Sequence, residues 1–422
     1  MSPRFPAFLL ALLLTLPTFA ATRMMYEIKG TATELEWAPT AFPLPYEVDQ
    51  RLAQLDSRAQ MMVDRAFAAW TSLPDANIRF ESRGLVANAT AARSDGRVVV
   101  SVADDLFANQ GALALTTYTF DDAGRFTDAD IQVDPSLFKG TFNAQMALEH
   151  EVGHVLGLDH SAVLSAVMYP FVGSGTDVAP LDSDDRIAIA QTYPRKDPTL
   201  TGATLQGRVY GDSGAVFGAQ VVALNERGEP VATALTAVSG EFTLAGVPTG
   251  RYRLYAEPLD GPVDARCLQG MWRRASSTSF PTQFFAGPPI EVESGKVYGN
   301  LSVNTAGAAH LNPRWIGATP AGSNSLSLST MPLTLRPGQN VTIAVGGDGF
   351  TSGMTEFEVL NPALRRVSGF VWDGNYVKAD FVVQPDAANG SAVIEVRSGR
   401  EAAMLTGALR IQNAMRVRAV RH

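Results

Sequence analysis

Apolar residues recur along the chain with two different periods, and the change falls near residue 200. Before it, Val63, Ala66, Phe67 and Trp70 stand at the i, i+3, i+4, i+7 spacing of an amphipathic helix, with Ser57 and Gln60 at capping-box spacing in front. The segments LPYEVD (44–49), ANIRFES (76–82), RVVVSVA (97–103), ALALTTYTF (112–120) and ADIQVD (129–134) predict strands. NAQMALEHEVGHVLGL (143–158) holds no Gly or Pro before Gly153 and predicts a helix. DSDDRIAIAQTY (182–193) predicts a last helix that stops at Pro194.

After PRKDPTLTGA (194–203), a linker by composition, the pattern turns to strands and turns alone. Glycines 214, 228, 240 and 250 mark reversals, and Phe242 and Leu244, then Tyr252, Leu254 and Ala256, should line one face of two paired strands. The run from 306 to 415 is again all strand. The expected organisation is therefore an α+β domain over 22–197 and two all-β sandwiches over 198–305 and 306–415. The linker implies that 22–197 folds as its own unit.

The first twenty residues stand apart: Arg4, the apolar run AFLLALLLTL, then PTFA, which is the pattern of a secretory signal peptide cleaved after Ala20. A secreted, extracellular or periplasmic protein is expected. Its single cysteine, Cys267, can form no internal disulfide and is expected to be a buried free thiol without an inhibitory role. The net charge of −8 argues against a nucleic-acid partner. No later apolar run is long enough to serve as a transmembrane anchor, and a monomer is expected.

The chemistry concentrates in HEVGHVLGLDH, which holds three of the five histidines. Residues four apart on a helix lie about 40° apart around its axis, so His150 and His154 present two imidazoles to one point. Gly157 can adopt positive φ and end the helix, letting His160 close a third position. Three ligands and an open fourth position are the arrangement of catalytic zinc, which acidifies a water molecule. Glu151 is rotated about 100° from its neighbour, so it reaches that water rather than the metal and can serve as general base. The parts are those of amide hydrolysis.

HExxHxxGxxH followed by Met168 is similar to the metzincin signature. Within that group the chain resembles the matrixins, through Ser161, the interval from His160 to Met168, and MYP at 168–170. The likeness extends to AFAAWTSLPDANIRFES and LDSDDRIAIAQTYP. It implies a twisted mixed sheet with an active-site helix, a zinc endopeptidase acting on protein or peptide, and Met168 as a floor beneath the metal. It also implies that 112–120 is an edge strand for substrate, and that Met146, Tyr169, Pro170 and Phe171 line a pocket for an apolar side chain.

The pattern departs from the matrixins in three places. No histidine precedes His150, so a second, structural zinc is not expected. DDAGRFTDAD offers only Asp121, Asp122, Asp128 and Asp130 for calcium. No cysteine lies ahead of the catalytic domain to cap the zinc. Further on, GAQV and SGEFTLAGVPTGRYRL resemble the carboxypeptidase regulatory-like sandwich, continued by IEVES and YGNLSV, and GDGFTSG resembles an immunoglobulin-like fold of the IPT/TIG kind. Two other functions compete: an adhesive protein whose sandwiches bind a surface or matrix ligand, and an amidase acting on cell-wall peptides.

Overall fold

Trp70 shows how the first domain is assembled. In this computed structural model, which describes residues 22–91, 94–175, 179–195, 202–275, 279–323 and 325–413, its indole is wholly buried and donates to the Glu149 carbonyl at 2.9 Å. The bond joins α2 (Ala59–Thr71) to α4 (Ala144–Val155). Val63, Ala66 and Phe67 share the buried face of α2, as the spacing predicts. Replacing so large a buried ring with Ala costs about 3–5 kcal/mol. The start of α2 differs from expectation. Arg58 stands at the N-cap with no side-chain capping bond, and the Asp56 carboxylate accepts the Arg58 N–H at 2.8 Å. The Asp56 carboxylate thus holds the turn that enters the helix, which begins after Arg58 rather than after Ser57.

The other elements of this domain are the hairpin β1 (Met25–Ile28) and β2 (Thr31–Glu34), then β3 (Leu44–Asp49), α1 (Gln50–Leu55), β4 (Phe80–Val86), β5 (Val98–Val102), α3 (Leu106–Gln110), β6 (Ala114–Phe120), β7 (Phe126–Val133) and α5 (Ser183–Thr192). The sheet order is β4-β3-β5-β7-β6, parallel except for β6, which runs antiparallel to β7 on the edge. β5, apolar but for Ser101 and buried at every position, fits its central place. The hairpin and the short α1, which buries only Leu52, carry no period long enough to read from sequence.

The middle domain comprises β8 (Ala203–Gly211), β9 (Gly214–Ala215), β10 (Gln220–Asn225), β11 (Pro230–Leu235), β12 (Glu241–Val247), β13 (Gly250–Glu257), β14 (Gln283–Phe284), β15 (Ile290–Val292), β16 (Val297–Tyr298) and β17 (Val303–Asn304). One sheet holds β11-β10-β13-β14, the other β12-β8-β16, and one core lies between them. The pairing expected from sequence is corrected here. β12 pairs with β8 and β13 with β10, so Phe242 and Leu244 meet Tyr252, Leu254 and Ala256 across the core rather than along a hairpin. Alternation reports which face is buried, not which strand is the neighbour. Pro248, in the link between the two strands, has no N–H to close a hairpin.

The third domain comprises β18 (Asn312–Pro320), β19 (Leu333–Leu335), β20 (Asn340–Asp348), β21 (Thr355–Val359), β22 (Leu364–Arg366), β23 (Val371–Asp373), β24 (Tyr376–Val383), β25 (Gly390–Ser398) and β26 (Glu401–Ile411), in sheets ordered β18-β20-β24-β22 and β19-β26-β25-β21. The expected signal segment, 1–20, and most of the linker lie outside the described residues.

Residues 22–197 do not stand free of the rest. Leu164 N–H donates to Thr406 O at 2.8 Å, Arg410 Nη2 to Ser165 O at 2.6 Å, and Thr233 Oγ1 to Asp184 Oδ1 at 2.7 Å. Leu164 and Tyr169 pack into the apolar core of the third domain. Between β13 and β14 the chain also leaves the middle domain, and residues 258–275 lie as a strap against the first.

Candidate metal centre

Helix α4 carries His150 and His154 one turn apart and ends where expected. Gly157 has φ +90°, its N–H bonds to His154 O at 2.9 Å, and a Cβ there would collide with the Leu35 carbonyl. The turn brings His160 back. The three ring centroids are 4.6, 4.9 and 5.1 Å apart, and one ligand nitrogen from each histidine lies within 4.8 Å of the others. Among the described residues this is the one such group of three or more.

The tautomers follow from the partners. His150 Nδ1 meets the Val167 carbonyl at 2.8 Å, His154 Nδ1 the Leu158 carbonyl at 2.8 Å, and His160 Nδ1 the Cys267 carbonyl. A carbonyl only accepts, so each Nδ1 carries the proton and each Nε2 offers a lone pair. Nε2 of His154 and His160 stand 3.3 Å apart. Two lone pairs at that distance repel unless a cation draws both. Burial holds all three rings below the ordinary histidine range, His150 down to about 3, so they are neutral and ready to ligate. A zinc ion fits this donor set.

Glu151 is buried beside them, and burial pushes its carboxyl up to about 7. The Thr116 hydroxyl of β6 lies 2.6 Å from Oε2. A carboxyl titrating near neutrality suits a general base. Beneath the cluster, Met168 packs on Gly153, where a Cβ would collide with its sulfur and come within 3.0 Å of the Trp70 ring. That contact explains a glycine inside a helix. Asp185 of α5 holds this turn by accepting Val167 N–H at 2.8 Å and Met168 N–H at 3.2 Å, while Ser161 Oγ donates to Asp184 at 2.8 Å.

A cavity of about 420 Å³ opens over the three histidines and Glu151. Met146, Tyr169, Pro170 and Phe171 all line it, and β6 forms a rim. Tyr169 is buried, with its hydroxyl donating to Thr330 O at 2.6 Å, while Phe171 is exposed. Gln269 of the strap and Met331, Pro332 and Arg410 of the third domain complete the lining. Sequence reasoning missed these four, because nothing local to them refers to the site. Thr116 had a signal, since alternation along β6 puts it on the inward face. The four aspartates considered for calcium are engaged separately: Asp121 by the Ala123 and Arg125 N–H groups, Asp122 by Lys29, Asp128 by Gly96 N–H and Asp130 by Val99 N–H. Cys267 is half-buried against the third domain.

Residues 36–194 match the Matrixin family and residues 204–260 the carboxypeptidase regulatory-like domain. The chain thus carries a matrixin domain followed by a carboxypeptidase regulatory-like domain. It is similar to Metalloendoproteinase 1 of Glycine max, 28% identical over 33% of this chain and 47% of that protein. It is also similar to Matrix metalloproteinase-2 of Drosophila melanogaster, 45% identical over 14% of this chain and 8% of that protein. A third relative is Matrix metalloproteinase-9 of Canis lupus familiaris, 52% identical over 12% of this chain and 7% of that protein. The chain spans less than half the length of each.

Proposed function

We propose that the protein is an exported zinc-dependent endopeptidase. The observation that carries this reading is the set of three Nδ1–carbonyl bonds, which leave three Nε2 lone pairs facing one point beside a buried carboxyl. Zinc held by His150, His154 and His160 would supply a Lewis acid that polarises the scissile carbonyl and acidifies water. Glu151 takes the proton from the attacking water and delivers it to the leaving nitrogen. The Thr116 hydroxyl keeps the Glu151 carboxylate oriented between those two duties. The free edge of β6 suits an extended peptide backbone, and Met146, Pro170 and Phe171 offer an apolar wall for a side chain.

Metal analysis of the purified protein should find one zinc per chain, and a peptide-library digest should show internal cuts that Glu151→Gln abolishes. No zinc, or digestion of cell-wall peptides alone, would overturn the reading. Export is tested separately: the N-terminal residue of protein recovered outside the cytoplasm should be Ala21.

A further inference from the structure

Two of the three histidines find their orienting carbonyl within their own domain, and the third does not. His150 and His154 use Val167 and Leu158. His160 sits on a loop past the helix, and the bond that fixes its ring comes from the Cys267 carbonyl on the strap. We infer that the strap is a working part of the metal centre, a positioning element by which the middle domain sets the third ligand.

The strap is docked on both sides of that carbonyl. Gln269 N–H donates to Asp159 Oδ2 at 2.9 Å, and the same carboxylate accepts His160 N–H at 2.7 Å, so ligand and strap share one anchor. The Tyr118 hydroxyl of β6 donates to the Gln269 side chain. Met271 N–H reaches Met25 O at 2.8 Å, and Trp272 Nε1 reaches Arg23 O at 2.9 Å. Gly270 has φ +53°, and a Cβ there would collide with the Met25 carbonyl, so two backbones meet where only glycine fits. Trp272 is buried and stacks on Phe217 of the middle domain at 5.8 Å.

An imidazole whose Nδ1–H is bonded keeps one tautomer and one ring angle, with Nε2 aimed at the metal. Without the carbonyl the ring turns and the tautomer is no longer set. Loss of such an outer partner costs about 10–100-fold in metal affinity. The inference rests on the zinc reading above.

The test uses the full-length chain. Gly270→Ala and the milder Trp272→Phe, which keeps the stack and loses the indole bond, are compared with wild type and with Val238→Ala, an exposed position on the middle domain. Zinc affinity is read by competition with a chromogenic chelator. Displacement of the strap is read by the rate of trypsin cleavage after Arg266, Arg273 and Arg274. The expected result is faster strap cleavage and about 10–100-fold weaker zinc binding in Gly270→Ala, a smaller loss in Trp272→Phe, and wild-type values in Val238→Ala. Unchanged zinc affinity in a variant whose strap is cut faster overturns the inference while leaving the zinc site intact. A wild-type protein that binds no zinc would instead sink the functional reading.

Discussion

The two sides of the metal centre are built by different means. His150 and His154 take their places from one helix, whose period, capping and terminating glycine are all local. His160 takes its ring angle from a carbonyl 107 residues away in another domain. The first side depends on one helix and the turn at Val167 within the same domain, and the second on whether whole domains dock. A ligand set can therefore be legible as a motif while its precise orientation is a tertiary property.

The comparison is broken most directly at the helix. His154→Ala should abolish stoichiometric zinc, whatever the strap does; retention of one zinc per chain would mean that the ligands are assigned wrongly. Glu151→Gln lies on the same helix but should keep the metal and lose about 10²–10⁴ in turnover of a peptide substrate. Equal turnover in the zinc-loaded variant would remove the general base from the scheme.

The docked side is sharpened by Glu257, which joins the middle and third domains by accepting from Gln220 Nε2 and Thr406 Oγ1, both at 2.7 Å. Burial pushes its carboxyl from 4.5 up to about 7, so the folded state favours the protonated form. Its contribution to stability is full below about 4.5 and is lost as pH rises towards about 7. Glu257→Gln should thus be more stable than wild type at pH 8, by up to about 3 kcal/mol at ~1.4 kcal/mol per pKa unit. The advantage should vanish near pH 4. Denaturant melts at the two pH values decide it, and a pH-independent difference would count against an ionised Glu257. The smallest effect is expected of Gly153→Ala, which crowds the sulfur of Met168 and should cost about 1–3 kcal/mol. A neutral result in a thermal melt would show that Met168 has room to withdraw.

The same division governs what could be read from the sequence. The buried face of α2, the span of α4 and the turn at Gly157 followed from period and backbone chemistry. The start of α2 did not, because the Asp56 carboxylate holds the Arg58 N–H and the helix begins one residue later than a Ser57 cap would place it. The pairing of β12 with β8 did not, because alternation is silent about partners. Met146, Tyr169, Pro170 and Phe171 lie close to the motif in sequence and were within reach of argument. Gln269, Met331, Pro332 and Arg410 come from segments whose own patterning only describes a sandwich or its loops.

The strap also sets an order in time. A chain made from its N-terminus has His150, His154 and His160 in place long before residue 267 exists, and the Leu164–Thr406 bond waits longer still. Contacts of such sequence separation form late in folding, because long loops must close first. A partly synthesised chain would hold all three ligands and Glu151 without the carbonyl that aims the third. The metal centre is therefore completed only after the strap, residues 258–275, has been made and has docked.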